Sequence, residues 1–128
     1  MTEPQGFSAA PFEQYVPLEI LERKDGFAKI RLPYKKELTN PYGLMHGGAI
    51  ATLADTTMAH AVYSRYPQNK FFTISLKIEF KSPVSTGYAV AEAKITSKRK
   101  QLLFGDVIVQ DDTGKTVAVA SATFFLKI

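Results

Sequence analysis

The sequence predicts an α+β domain in which one long central helix is wrapped by a curved, mostly antiparallel sheet of five or six strands. Three observations carry this expectation. Only one stretch, about residues 47–66, repeats apolar residues at spacings of three and four over several turns. Most of the chain after it alternates apolar and polar residues with period two. Some of those alternating segments carry ladders of alanine, the small side chains a sheet needs where it closes tightly on a helix.

Taken in order, the first dozen residues, 1–12, are polar and contain Pro and Gly, and are expected to be loosely ordered. An extended segment follows from Val16 to Glu22, and Lys24-Asp25-Gly26 reads as a hairpin turn. Ala28, Ile30 and Leu32 alternate with Lys29 and Arg31, the pattern of a half-buried strand. Residues 38–43, Leu-Thr-Asn-Pro-Tyr-Gly, form a loop. In the helix, Ile50, Leu53, Ala54, Thr57, Met58, Ala61 and Val62 make a broad apolar stripe, and Pro67 stops it. Phe72, Ile74, Leu76, Ile78 and Phe80 then alternate with polar residues until Pro83. Three further strands are expected at Tyr88–Thr96, Leu102–Gln110 and Thr116–Leu126, with Ala89, Ala91 and Ala93 and then Ala118, Ala120 and Ala122 as the alanine ladders.

A chain of 128 residues, 45% of them apolar, suits a single domain, 1–128, with a modest core that oligomerisation would help. It has no cysteine, which excludes disulfides, thiolate metal sites and cysteine nucleophiles, and only two histidines, so no metal site is expected. The opening residues lack the apolar run of a secretory signal, and no segment has the roughly 18 consecutive apolar residues of a membrane helix, so a cytoplasmic location is the expectation. The net charge is +4, part of it concentrated at Lys98-Arg99-Lys100. Such a run is either a solvated turn or a phosphate-binding patch; without a recognition helix or stacking aromatics it is poor evidence for nucleic acid.

Two features of the helix are odd for a purely structural element. Gly47-Gly48 opens it, although glycine costs about 1 kcal/mol relative to alanine inside a helix. The pair either permits a tight loop-to-helix transition or lets a ligand approach the free N–H groups of the first turn, where a phosphate or an oxygen gaining negative charge is stabilised. Asp55 lies mid-helix beside the apolar stripe, and its neighbours Ala51, Thr52, Met58 and Ala59 include no cation. It is either paired elsewhere in the fold or a base or nucleophile facing a cleft. Gly47 and Asp55 are about 12 Å apart along one helix, too far to serve one carbonyl together. If both are catalytic, a second copy must run antiparallel alongside, as in a two-fold dimer with two equivalent sites. His60 lies roughly 140° around the helix from Asp55 and reads as a packed or interfacial residue.

Asn40, then His46-Gly47-Gly48, then Asp55 resembles the signature of the hotdog-fold acyl-CoA thioesterases of the phenylacetate-degradation type. The order of helix and strands follows that family over nearly the whole chain. The resemblance implies that Asp55 is nucleophile or general base and that the Gly47 amide polarises the thioester carbonyl. It further implies that His46 and Asn40 hold the loop before the helix and orient thioester or water, and that Thr73 helps position water. Gly48 and the Lys98-Arg99-Lys100 turn would contact substrate and CoA phosphates. The implied protein is a thioester hydrolase without metal or cofactor, CoA being part of its substrate, and a homodimer that pairs into a homotetramer. Two other readings stand beside it: a non-catalytic acyl-CoA sensor or carrier on the same scaffold, and a hotdog dehydratase or hydratase, whose motif this chain lacks. The sequence leaves open the acyl group and the choice between general-base and covalent anhydride routes.

Overall fold

The computed structural model describes residues 10–128. Six strands form one fully antiparallel sheet: β1 (Glu19–Lys24), β2 (Phe27–Pro33), β3 (Lys70–Phe80), β4 (Tyr88–Arg99), β5 (Leu102–Asp111) and β6 (Thr116–Lys127). Their order across the sheet is β1-β2-β4-β5-β6-β3, so β1 and β3 are its two edges. The single helix α1 (Gly47–Arg65) lies mainly over β2 and β4, and the sheet curls around it. This is the hotdog architecture.

The helix buries all seven residues of the stripe read from the sequence, from Ile50 to Val62, together with Thr56, His60 and Tyr63. Alanine is what lets the sheet come close: Ala89, Ala91, Ala93, Ala118, Ala120 and Ala122 are all buried in the core. Gly105 on β5 goes further, since a Cβ there would collide with the side chain of Met58 and lie 2.7 Å from the Lys94 carbonyl. One helical stripe remains open, formed by Gly48, Ala51, Thr52, Asp55 and Ala59.

The hairpin turn between β1 and β2 holds as expected, with Asp25 and Gly26 both at positive φ. Three details depart from the sequence reading. The first strand begins at Glu19, not Val16. Of the first dozen residues, 1–9 lie outside the described residues, and a 3₁₀ turn, Phe12–Gln14, which the sequence reading did not anticipate, follows them. In β3 the simple alternation breaks, because a bulge between Thr73 and Ser75 shifts the register against β6. Phe72 therefore stacks on Phe125 with ring centroids 5.4 Å apart, while Phe71, Leu76 and Ile78 pack towards the core. The bulge lets Thr73 and Leu76 face the helix together, which unbroken alternation forbids.

Candidate active site

The loop before the helix is built by its polar side chains. Asn40 Oδ1 accepts from the backbone N–H groups of Tyr42 (2.9 Å) and Leu44 (3.1 Å), folding residues 40–44 into a tight turn with Gly43 at positive φ. His46 N–H donates to the Leu38 carbonyl at 2.7 Å, tying the loop to the 3₁₀ turn Lys36–Leu38. His46 is the N-cap of α1, and its Nδ1 accepts from Gly48 N–H at 2.8 Å. The neutral imidazole therefore carries its proton on Nε2. A Cβ on Gly48 would lie 3.0 Å from that Nδ1, so a side chain there would crowd the cap.

With Gly48 occupied, and Ala49 and Ile50 both donating to the His46 carbonyl, Gly47 N–H is the first-turn donor with no acceptor among the described residues. It opens into a cleft of about 300 Å³ lined by Asn40, Gly47, Ile50, Phe80, Lys81 and Pro83, among others. Phe80 is the near wall, 3.6 Å from where a Gly47 Cβ would stand. A second cleft, of about 230 Å³, flanks the same helix start and is lined by Val16, Glu37, Leu38, His46, Ala49 and Thr52, among others.

Asp55 sits on the open helical stripe, half-buried, and its Oδ1 accepts from the Thr73 hydroxyl at 2.7 Å. The structure thus assembles the candidates into two groups: Asn40, His46, Gly47 and Gly48 at the helix start, and Asp55 with Thr73 two turns further along. It does not bring the two groups together within one chain. Lys98, Arg99 and Lys100 belong to neither. They lie at the β4–β5 turn, where Arg99 is in line with Leu102, Phe125 and Phe72, at the opposite end of the sheet from Phe80 and Gly47. Phe80, Lys81, Leu38 and Val16 escape the sequence reading, for they reach the site through tertiary packing and break no local rule.

His60 is packed, not part of this constellation. It is fully buried, with Arg23 Nη1 2.6 Å from its Nδ1 and Glu13 Oε1 3.1 Å from its Nε2. Because a guanidinium can only donate, Nδ1 accepts from Arg23 and Nε2–H donates to Glu13. Burial, reinforced by the Arg23 charge, pushes the His60 pKa down to about 4, and burial pushes the Glu13 carboxyl up. Arg23 also lies over the Tyr63 ring, 4.8 Å from its centroid.

The fold and the empty first-turn donor define the hotdog class of proteins. Within it, residues 42–118 match the family model of the thioesterase superfamily, and the chain belongs to that superfamily, a family of thioester-hydrolysing enzymes. Its structure is similar to that of a conserved protein from Pseudomonas aeruginosa, with a TM-score of 0.91 and 28% identity over 97% of this chain and 99% of that one. It shares its fold with the PaaI protein of the Escherichia coli phenylacetic acid degradation operon, at TM-score 0.87 and 23% identity over 94% and 86% of the two chains. A 1,4-dihydroxy-2-naphthoyl-CoA hydrolase from Listeria monocytogenes is 22% identical over 90% of this chain and 94% of its own length. No helix among the described residues is long and apolar enough to cross a membrane.

Proposed function

We propose that the protein is an acyl-CoA thioesterase that hydrolyses its substrate to a free acid and CoA at a site shared by two subunits. The observation that carries this reading is the unspent Gly47 N–H at the positive end of α1, on the same open helix face as a carboxylate held by a hydroxyl. The thioester carbonyl oxygen accepts from Gly47 N–H, which stabilises the negative charge that develops there. Asp55 takes the proton of an attacking water held with the help of Thr73, or attacks the carbonyl carbon itself to give an anhydride that water then opens. In either route the C–S bond breaks, the sulfur leaves as thiolate and is protonated, and the acyl carbon gains an oxygen, from water directly or by way of the Asp55 carboxylate that water then regenerates, to give a carboxylic acid. Asn40 shapes the loop that presents Gly47, and His46 caps the helix.

Sharing follows from distance and from the free edge of the sheet. Gly47 and Asp55 are about 12 Å apart on one helix. β3 is an eleven-residue edge strand with Phe72, Ile74 and Phe80 all more than half exposed, the kind of edge that pairs with another strand. Thr73 marks the position of Asp55 along β3, and Phe80 marks that of Gly47. A two-fold axis between Leu76 and Lys77 would set one subunit's Thr73 opposite its partner's Phe80, and so one Asp55 beside the other Gly47. The same operation carries the partner's Lys98-Arg99-Lys100 turn to this end of the site, where CoA phosphates need cations. A pairing of dimers into tetramers completes the proposed assembly, which acts without metal or added cofactor.

The test is thiol release from a set of acyl-CoAs by the wild type and by Asp55→Ala. Turnover should fall by roughly a hundred- to ten-thousandfold, the usual contribution of a general base. Undiminished release would remove Asp55 from the mechanism, and tight binding without turnover in the wild type would make the protein an acyl-CoA sensor.

A further inference from the structure

The open stripe of α1 has two different banks. On one side runs β3, touching the helix through Thr73 and Asp55 and through Phe80 beside Gly47. On the other lies the N-terminal strap, residues 11–16, whose Glu13 is hydrogen-bonded to His60 and whose Val16 reaches the cleft beside His46, Gly48 and Ala49. The strap is held from beneath. His60 links Glu13 to Arg23 of β1, so strap, helix and sheet edge meet at one buried imidazole.

A thioester bound at Gly47 N–H sends two arms away from its carbonyl carbon, and the two clefts beside the helix start differ in charge. The cleft on the β3 side carries Lys81 beside Met45, Ile50 and Phe80. The cleft on the strap side carries Glu37, with Thr39, His46 and Thr52 among apolar Val16, Leu38 and Ala49. The CoA arm is polyanionic and is repelled by Glu37 and attracted by Lys81, which leaves the strap cleft to the uncharged acyl arm.

We infer that the strap cleft is the acyl subsite, that Val16 sets the size of acyl group it takes, and that Glu13 is a positioning residue which holds Val16 there through His60. This rests on the thioesterase reading above and adds the direction in which the substrate lies and the residues that select it.

Four variants test it: Val16→Phe, Val16→Ala, Glu13→Ala and Glu13→Gln. Each is assayed for thiol release over acyl-CoAs of increasing length, and by calorimetric titration with non-hydrolysable acyl-CoA thioethers of the same lengths. Val16→Phe should lower the ratio of kcat/KM for octanoyl-CoA to that for acetyl-CoA at least tenfold, and Val16→Ala should move the optimum to longer chains. Glu13→Ala should raise KM for the longer substrates several-fold with a smaller effect on kcat, and should speed chymotryptic cleavage at exposed Phe12 and Tyr15. Glu13→Gln, which can still accept from His60 Nε2–H, should restore both. A length profile that Val16→Phe and Val16→Ala leave unmoved in folded protein overturns the acyl subsite. Faster cleavage in Glu13→Ala with an unaltered length profile overturns the positioning role. If the wild type releases no thiol from any acyl-CoA, the hydrolase reading fails instead, and the thioether titrations still decide whether Val16 limits the acyl arm.

Discussion

In the proposed mechanism, Thr73 is the side chain on which Asp55 most directly depends. Its hydroxyl donates to Oδ1 at 2.7 Å, fixing one carboxylate oxygen and leaving the other to face a water or a carbonyl carbon. A hydrogen bond to a charged group contributes roughly 1.5–3 kcal/mol. Thr73→Ala should therefore lower kcat by about ten- to a hundredfold, and Thr73→Ser should keep most of it. Steady-state thiol release from the three proteins checks this, and an Ala variant with wild-type kcat would make Thr73 an ordinary strand residue. At this scale the site is legible in sequence wherever a residue violates a local rule. A glycine pair at a helix start and a carboxylate without a cation within four residues both stand out. Gly48 now has its reason in the His46 cap, which a side chain there would crowd. Phe80 and Val16 are invisible by the same test, since an aromatic in a strand and a valine before one are unremarkable until the fold sets them beside Gly47 and Ala49.

The elements follow from periodicity more closely than their joints do. The helix stripe from Ile50 to Val62 and the alanine ladders of β4 and β6 are buried as their spacing predicts. The bulge in β3 is not, because a period-two pattern of apolar residues fits equally well whichever residue is left unpaired. That choice is made by β6 and the helix together. The strap is likewise set by a partner distant in sequence, with Glu13 and His60 lying 47 residues apart. This junction of strap, helix and β1 gives α1 a pH dependence of known sign. The His60 pKa is about 4 in the folded protein against 6.5 as its ordinary value, so unfolding takes up a proton between those pH values. Its contribution to stability is full above pH 6.5 and is lost as pH falls towards 4, about 3 kcal/mol in all. Glu13, with its carboxyl raised by burial, acts in the opposite sense and trims this loss. The other groups facing the imidazole are Arg23 from β1, which stays charged, and Tyr63 beneath it on α1. Urea unfolding at pH 7, 5.5 and 4 should show a steeper decline for the wild type than for His60→Gln, whose amide can still accept from Arg23 and donate to Glu13. Parallel declines would mean that His60 is protonated at no cost in the fold.

For the whole molecule, the question is whether one chain can ever hold a complete site. Two turns of helix separate Gly47, the proposed oxyanion donor, from Asp55, the proposed acid, and no rearrangement that keeps α1 helical can shorten that separation. Pairing along the exposed apolar edge of β3 brings in a second acid without breaking the sheet. Complementation between two dead variants puts this to the test. Asp55→Ala removes the acid, and His46→Ala removes the cap that holds the helix start from which Gly47 N–H is presented. Each homodimer should be nearly inactive. When the two are unfolded, mixed in equal amounts and refolded, half of the dimers carry one chain of each kind. In every such dimer one site joins the intact helix start of the Asp55→Ala chain to the intact acid of the His46→Ala chain, while the other site lacks both. The mixture should thus recover about a quarter of wild-type activity, with a KM close to the wild type's because each restored site is complete. A site contained within one chain restores nothing on mixing, since no single chain in the mixture carries both groups. The same experiment with Ile74→Glu added to both variants should return no activity. A buried carboxylate pair on the paired edge costs several kcal/mol, and sedimentation should show monomers. Recovery that survives this substitution would move the shared site away from β3 and onto another face of the sheet.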